Sequence, residues 1–112
     1  MGKTEDVIRS FGGQQYRSCY KDLCYVVDVA KGYQPDPPLM TVIVIEASKR
    51  ARRRSYRSMW RSIARAVENL WDFGDLDALY AYQPCWRKYR PKPHEFVEFV
   101  SWRVWNEETH NG

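Results

Sequence analysis

The chain has 112 residues, of which 44% are hydrophobic and 15% aromatic, with five Trp and eight Tyr. That length suits one domain spanning residues 1–112, and the large side chains supply enough apolar area for one core without staples, which excludes a disordered chain. The net charge is +4, no apolar run approaches about 18 residues, and no signal-peptide pattern is present, so a soluble, cytoplasmic protein with no membrane partner is expected.

Residues 4–11, TEDVIRSF, read as a short helix. Thr4 is placed to cap it, Glu5 and Asp6 favour its positive end, and Gly12-Gly13 stop it. A second helix is expected from about Ser18 to Lys31, with Tyr20, Leu23, Cys24, Val27 and Ala30 as its apolar stripe. The segment PDPP, residues 35–38, is a stiff loop between helices. Residues 39–51 contain TVIVI, which is β-branched and passes for a strand. A lone strand would leave its backbone unpaired, so a helix starting near Pro38 is the better reading.

Residues 52–55, RRRS, form the next turn. Tyr56 to about Phe73 is the clearest helix in the chain. Met59, Trp60, Ile63, Ala66, Val67, Leu70 and Trp71 fall on one side at about 100° per residue. Arg57, Arg61 and Arg65 form a stripe roughly opposite, with Ser58 and Ser62 beside it. Gly74 closes the helix, and a short helix at 75–80 follows. A loop then carries a second basic cluster, Arg87, Lys88, Arg90 and Lys92. The last helix starts near Pro93 and packs Phe96, Phe99, Val100 and Val104, while the tail NEETHNG is expected to fray. The tryptophans are expected mostly in the core, with Trp86 the exception: beside Tyr89 in the basic loop, it is read as anchoring that loop, with stacking on an unpaired base as the alternative.

Charge is distributed unevenly. Residues 49–65 hold Lys49, Arg50, Arg52, Arg53, Arg54, Arg57, Arg61 and Arg65 and no acid; the other ten basic residues face fourteen acids, a net of −4. A basic segment on an acidic body indicates a directed anionic partner. The stripe is arginine rather than lysine, and a planar fork suits phosphates and guanine edges. It follows a short turn after another apolar helix, as in a helix-turn-helix, here over about 39–73. In that arrangement Arg57, Ser58 and Arg61 are the candidate base-reading residues. Lys49, Arg50, Arg52, Arg53, Arg54 and Arg65 are candidate phosphate contacts, and Arg87, Lys88, Arg90 and Lys92 candidate secondary contacts.

Enzyme chemistry finds little support. His94 and His110 are the only histidines, and His94-Glu95 does not extend to HExxH. No phosphate-cradling glycine loop or nucleophile elbow is present. Asp72, Asp75 and Asp77 read as capping and solubilising residues, because a calcium loop would need a glutamate. Cys19, Cys24 and Cys85 form no CxxC pair and read as reduced thiols. No catalytic residue, metal, cofactor or small-molecule substrate is expected.

Several segments in order resemble one family. YKDLCYVVD (20–28), EASKRA (46–51), MWRSIARAVENLW (59–71), FGDLDAL (73–79) and PHEFVEFV (93–100) are similar to the C-terminal DNA-binding effector domain of stage zero sporulation protein A. Tyr20, Leu23, Arg61, Ile63, Ala66, Glu68 and Trp71 carry the match. The resemblance implies an all-α domain of about six helices containing a helix-turn-helix, which binds double-stranded DNA and regulates transcription, often in tandem. It also implies a helix for TVIVI. The chain departs from the family pattern in its longer arginine turn and at Trp60, where the family has an acid. An indole cannot accept from a cytosine amine, so the DNA preference is expected to differ or weaken. No phosphoacceptor receiver domain is expected. A lone small domain binds duplex weakly, so self-association on DNA, as a homodimer or in tandem, is expected. The alternatives are a protein-binding module that retains the fold and a non-specific nucleic-acid-binding protein.

Overall fold

The structure, a computed structural model, describes residues 2–51 and 55–111. Among them are six α-helices and no strand: α1 (Lys3–Ser10), α2 (Ser18–Gly32), α3 (Met40–Arg50), α4 (Tyr56–Phe73), α5 (Leu76–Tyr82) and α6 (Pro93–Asn111), with a 3-10 turn at Pro84–Arg87. The fold is all-helical, as the apolar periodicity requires. No helix among the described residues is long and apolar enough to cross a membrane.

Helix α2 is the hub, touching α1, α3, α4 and α6. It can serve four neighbours because its apolar surface is broader than one stripe. Tyr20, Leu23, Val26, Val27, Val29 and Ala30 are all buried. The β-branched segment of α3 is helical because Ile43, Val44 and Ala47 recur at helical spacing. All three are buried, with α3 lying against both α2 and α4. That burial overrides the strand propensity of TVIVI.

Thr4 does not cap α1. Gly2 occupies the N-cap position, and Thr4 lies inside the helix and is fully buried, its hydroxyl without a partner among the described residues. Thr4 is four residues before Ile8 and seven before Phe11, so it shares their core-facing side. Beyond α1, Gly12 and Gly13 both have φ +76°, a left-handed conformation that favours glycine. The turn they make brings the Phe11 carbonyl to the end of α4, where it accepts from the Asp75 N–H at 2.8 Å. Gly74 permits that approach: a Cβ there would lie 2.3 Å from the Leu70 carbonyl oxygen and 2.8 Å from that of Phe11.

Two buried polar contacts fix α4 against α2. Ser62 Oγ donates to Asp22 Oδ2 at 2.6 Å, and Tyr20 Oη donates to Asn69 Oδ1 at 2.6 Å. Asn69 also accepts from the Gln14 N–H and donates to Gln14 Oε1, both at 2.9 Å. Burial pushes the Tyr20 phenol up to about 12, so it remains a donor at neutral pH. Ser62 therefore faces α2 and does not flank the arginine stripe: the Asp22 carboxylate gives its hydroxyl a buried partner. Asn69→Ala is expected to leave Tyr20 and the Gln14 amide without their acceptor, at about 1–3 kcal/mol for each unsatisfied donor. Urea unfolding measures this, and an unchanged midpoint would show that the network does not hold α4 in place.

At the other end of the molecule, α6 continues through the segment expected to fray. Glu107 pairs with Lys3 of α1 at 3.4 Å and with Arg103 at 3.1 Å, and Glu108 pairs with Lys31 of α2 at 2.9 Å. These pairs tie the last turns of α6 to two other helices. Trp102 also departs from expectation. It is 45% exposed, because its neighbours Ser101 and Val104 take the inward positions on α6.

Candidate nucleic-acid interface

Helix α4 begins where the sequence places it. Ser55 is its N-cap, and its side chain accepts from the Ser58 N–H at 3.0 Å. Met59, Ile63, Ala66, Val67 and Leu70 are buried, and Trp60 and Trp71 pack on the core while partly exposed. With that face fixed, Arg57, Arg61 and Arg65 project outward and are exposed. They lie within about 80° of one another around the axis at about 100° per residue. Over those eight residues the helix rises about 12 Å. None of the three has an ion-pair partner among the described residues. Ser58 is half-buried at the edge of this stripe, in the first turn.

The arginine stripe opposes the helix's own electrostatics. The first turn of α4 holds no acid and the last turn no base, the reverse of what the macrodipole favours. Arg57–Arg61 and Arg61–Arg65 are like charges at i, i+4 spacing, which destabilises a helix by about 0.2–0.5 kcal/mol per pair. Helix stability therefore does not account for this arrangement.

The remaining basic candidates fall into separate groups. Lys49 is exposed at the end of α3. Arg50 is exposed but pairs with Glu46 at 3.3 Å, while its carbonyl accepts from Tyr25 Oη at 3.0 Å. Arg52, Arg53 and Arg54 lie outside the described residues, and so does most of the turn between α3 and α4. Arg87, Lys88, Arg90 and Lys92 are exposed. The Arg87 guanidinium lies 5.3 Å from the Tyr80 ring centroid and that of Arg90 5.9 Å from the Trp71 ring. Trp71 is fourteen residues beyond Arg57, about 21 Å along α4. The second basic cluster thus stands at the far end of the helix and does not extend the arginine stripe.

Sequence reading passed over Arg17. It is exposed at the N-cap of α2 and shares a cleft of about 150 Å³ with Arg65, Glu68 and Asp72. A single arginine outside any cluster gives no signal in sequence, since only the packing of α2 on α4 brings it beside Arg65.

Trp86 is buried in the 3-10 turn, stacked on Phe96 with ring centroids 5.2 Å apart. Its indole anchors the basic loop and is not presented to a base. Asp75 caps α5, accepting from the Ala78 N–H at 3.1 Å. No group of three or more His, Cys, Asp or Glu residues among those described is arranged to hold a metal. Cys19, Cys24 and Cys85 are free. Burial, with help from Glu5, pushes the Cys24 thiol up to about 12, which suppresses thiolate chemistry there. A groove of about 630 Å³ runs between the proline loop and α6, lined in part by Pro35, Leu39, His94, Glu98 and Trp102. Thr41 and Ser101 line it as well, and the Ser101 hydroxyl donates to the Glu98 carbonyl at 3.1 Å.

Comparison with known proteins adds no identification: no family model, no curated protein and no solved structure matches the chain.

Proposed function

We propose that the chain binds double-stranded DNA through the outer face of α4 and acts as a sequence-specific transcription regulator, by binding rather than catalysis. The observation that carries this reading is the exposed stripe of Arg57, Arg61 and Arg65, unpaired among the described residues, spaced as like charges at i, i+4, with Arg57 against the helix dipole. Charges placed at a cost to helix stability are explained by a partner that supplies the missing anions, and arginine forks match phosphate oxygens and guanine O6/N7. The contact between α3 and α4 supports reading the pair as a helix-turn-helix, with α4 as the groove-entering helix. The resemblance to the sporulation effector domain supports the same assignment. With four arginines on phosphates, log K should fall with log salt at a slope of about −3.6.

The test separates base reading from phosphate holding. Arg61→Ala is expected to cost about 1–3 kcal/mol at a selected site and to relax the sequence preference there. Arg65→Ala is expected to weaken all duplexes by a similar factor and to reduce the salt slope by about 1. Binding of selected and random duplexes, measured by fluorescence anisotropy across salt concentrations, distinguishes the two. Equal behaviour of both variants on every duplex would contradict base reading by α4.

A second reading has its own observation. The outward side of α3 and its N-cap is apolar, with the N-cap Leu39 79%, Val42 45% and Ile45 40% exposed. Such a face suits contact with a protein. This reading gains if the chain binds no duplex at any salt concentration.

A further inference from the structure

The exposed sector of α4 does not stay positive. Glu68 and Asp72 fall within the same sector of about 80° as the three arginines, counted at about 100° per residue, and both are exposed. The sign changes between Arg65 and Glu68, within one turn. Neither carboxylate forms an ion pair among the described residues, although both share a cleft with Arg65 and with Arg17 of the α2 N-cap. Their negative charge is therefore not cancelled by a bonded arginine. Like Arg57 at the other end, Asp72 opposes the macrodipole, and the two carboxylates repel each other at i, i+4. Neither capping nor a salt bridge explains them.

We infer that Glu68 and Asp72 form an electrostatic boundary that confines a duplex to the N-terminal half of α4 and so determines specificity. The inference rests on the DNA-binding reading above. Glu68 lies about 4.5 Å along the axis from Arg65, and Asp72 about 10 Å. The Debye length at physiological salt is about 8 Å, so a phosphate held by Arg65 feels Glu68 strongly and Asp72 partly. In a pose with base edges at Arg57 and Arg61, the phosphate backbone stays on the arginine side. On a non-specific duplex the protein slides and tilts, and many poses carry phosphates over the acidic half. Like-charge juxtaposition penalises those poses at both carboxylates, whereas the reading pose meets mainly Glu68, beside the phosphate held by Arg65. The carboxylates thereby widen the gap between selected and random DNA without touching a base.

The test compares the wild-type chain with the double variant Glu68→Gln/Asp72→Asn on two probes: a duplex selected by the wild-type chain and a random-sequence duplex. A control, Asp6→Asn/Asp36→Asn, changes net charge equally but lies on α1 and in the proline loop. The α4 variant is expected to bind the random duplex about 3- to 10-fold more tightly and the selected duplex within about 2-fold of wild type. Its salt slope on the random duplex should steepen by about 1. The control should move both probes equally. Thermal melts verify folding, and both exchanges are nearly isosteric at exposed positions. A variant that matches wild type on both probes, or a control that reproduces the selective gain, overturns the boundary while leaving DNA binding intact. A wild-type chain that binds no duplex overturns the DNA reading and the boundary with it.

Discussion

Replacing Trp86 by alanine is expected to cost about 3–5 kcal/mol of folding stability, the largest effect of any single substitution considered for this chain. The indole is the centre of an aromatic cluster. It stacks on Phe96 at 5.2 Å and Tyr82 at 6.2 Å, and meets Trp71 edge-on at 5.5 Å and Phe99 at 5.8 Å. Those four rings come from α4, α5 and α6, so one truncation opens a cavity at the junction of three helices. The partners are held by further contacts: the Arg103 guanidinium lies 4.0 Å from the Tyr82 ring centroid and donates to the Tyr82 carbonyl. They cannot all collapse into the gap, which puts the cost in the upper part of the range. Domains of this size have total stabilities of about 5–15 kcal/mol, so the loss should be plain in a urea titration. At low temperature the folded fraction should keep the base preference set by Arg57 and Arg61, because the cluster is remote from them. A loss below about 1 kcal/mol would mean that the loop is not anchored by this ring.

Arg57→Glu is expected to separate stability from function. In the first turn of α4, a carboxylate interacts favourably with the helix dipole where a guanidinium does not, a gain of about 0.3–1 kcal/mol. The exchange also turns the repulsive Arg57–Arg61 spacing into an attractive Glu–Arg one, adding about 0.2–0.5 kcal/mol. The variant should therefore melt at a higher temperature than wild type. On DNA it loses a guanidinium and gains a charge facing phosphate, so affinity for a selected duplex should fall by about 100-fold or more. A merely solvated arginine face would give the stability gain with no loss of binding. Paired thermal melts and anisotropy titrations decide between the two outcomes.

Much of this architecture was legible because it rests on apolar periodicity. The bounds of α4 and the exposure of its arginines follow from residues whose burial repeats every three or four positions, while TVIVI reads as a helix only because a lone strand would leave its backbone unpaired. The polar exceptions were not legible. Ser62 and Asn69 sit on the flank between the buried and exposed faces of α4, where the pattern permits either fate. Their partners, Asp22, Tyr20 and Gln14, are 40 or more residues away, and nothing local announces them. Thr4 was misplaced because the rule that favours threonine at a cap competes with its ability to bury a methyl group, and burial inside α1 won. The last turns of α6 were misread because an acidic tail looks solvated until Lys3 and Lys31 are brought beside it. The arginine stripe was legible as a face but not as a bounded one. Glu68 and Asp72 lie beyond the basic segment in sequence, yet they share its side of the helix.

The proposal that α4 reads DNA sequence is tested most directly by selecting bound duplexes from a random pool with the wild-type chain and with Arg61→Ala in parallel. A short enriched motif with wild type, blurred at one or two positions by Arg61→Ala, is the expected result. Salt-sensitive binding with no enriched motif, or no duplex binding at all, would contradict it.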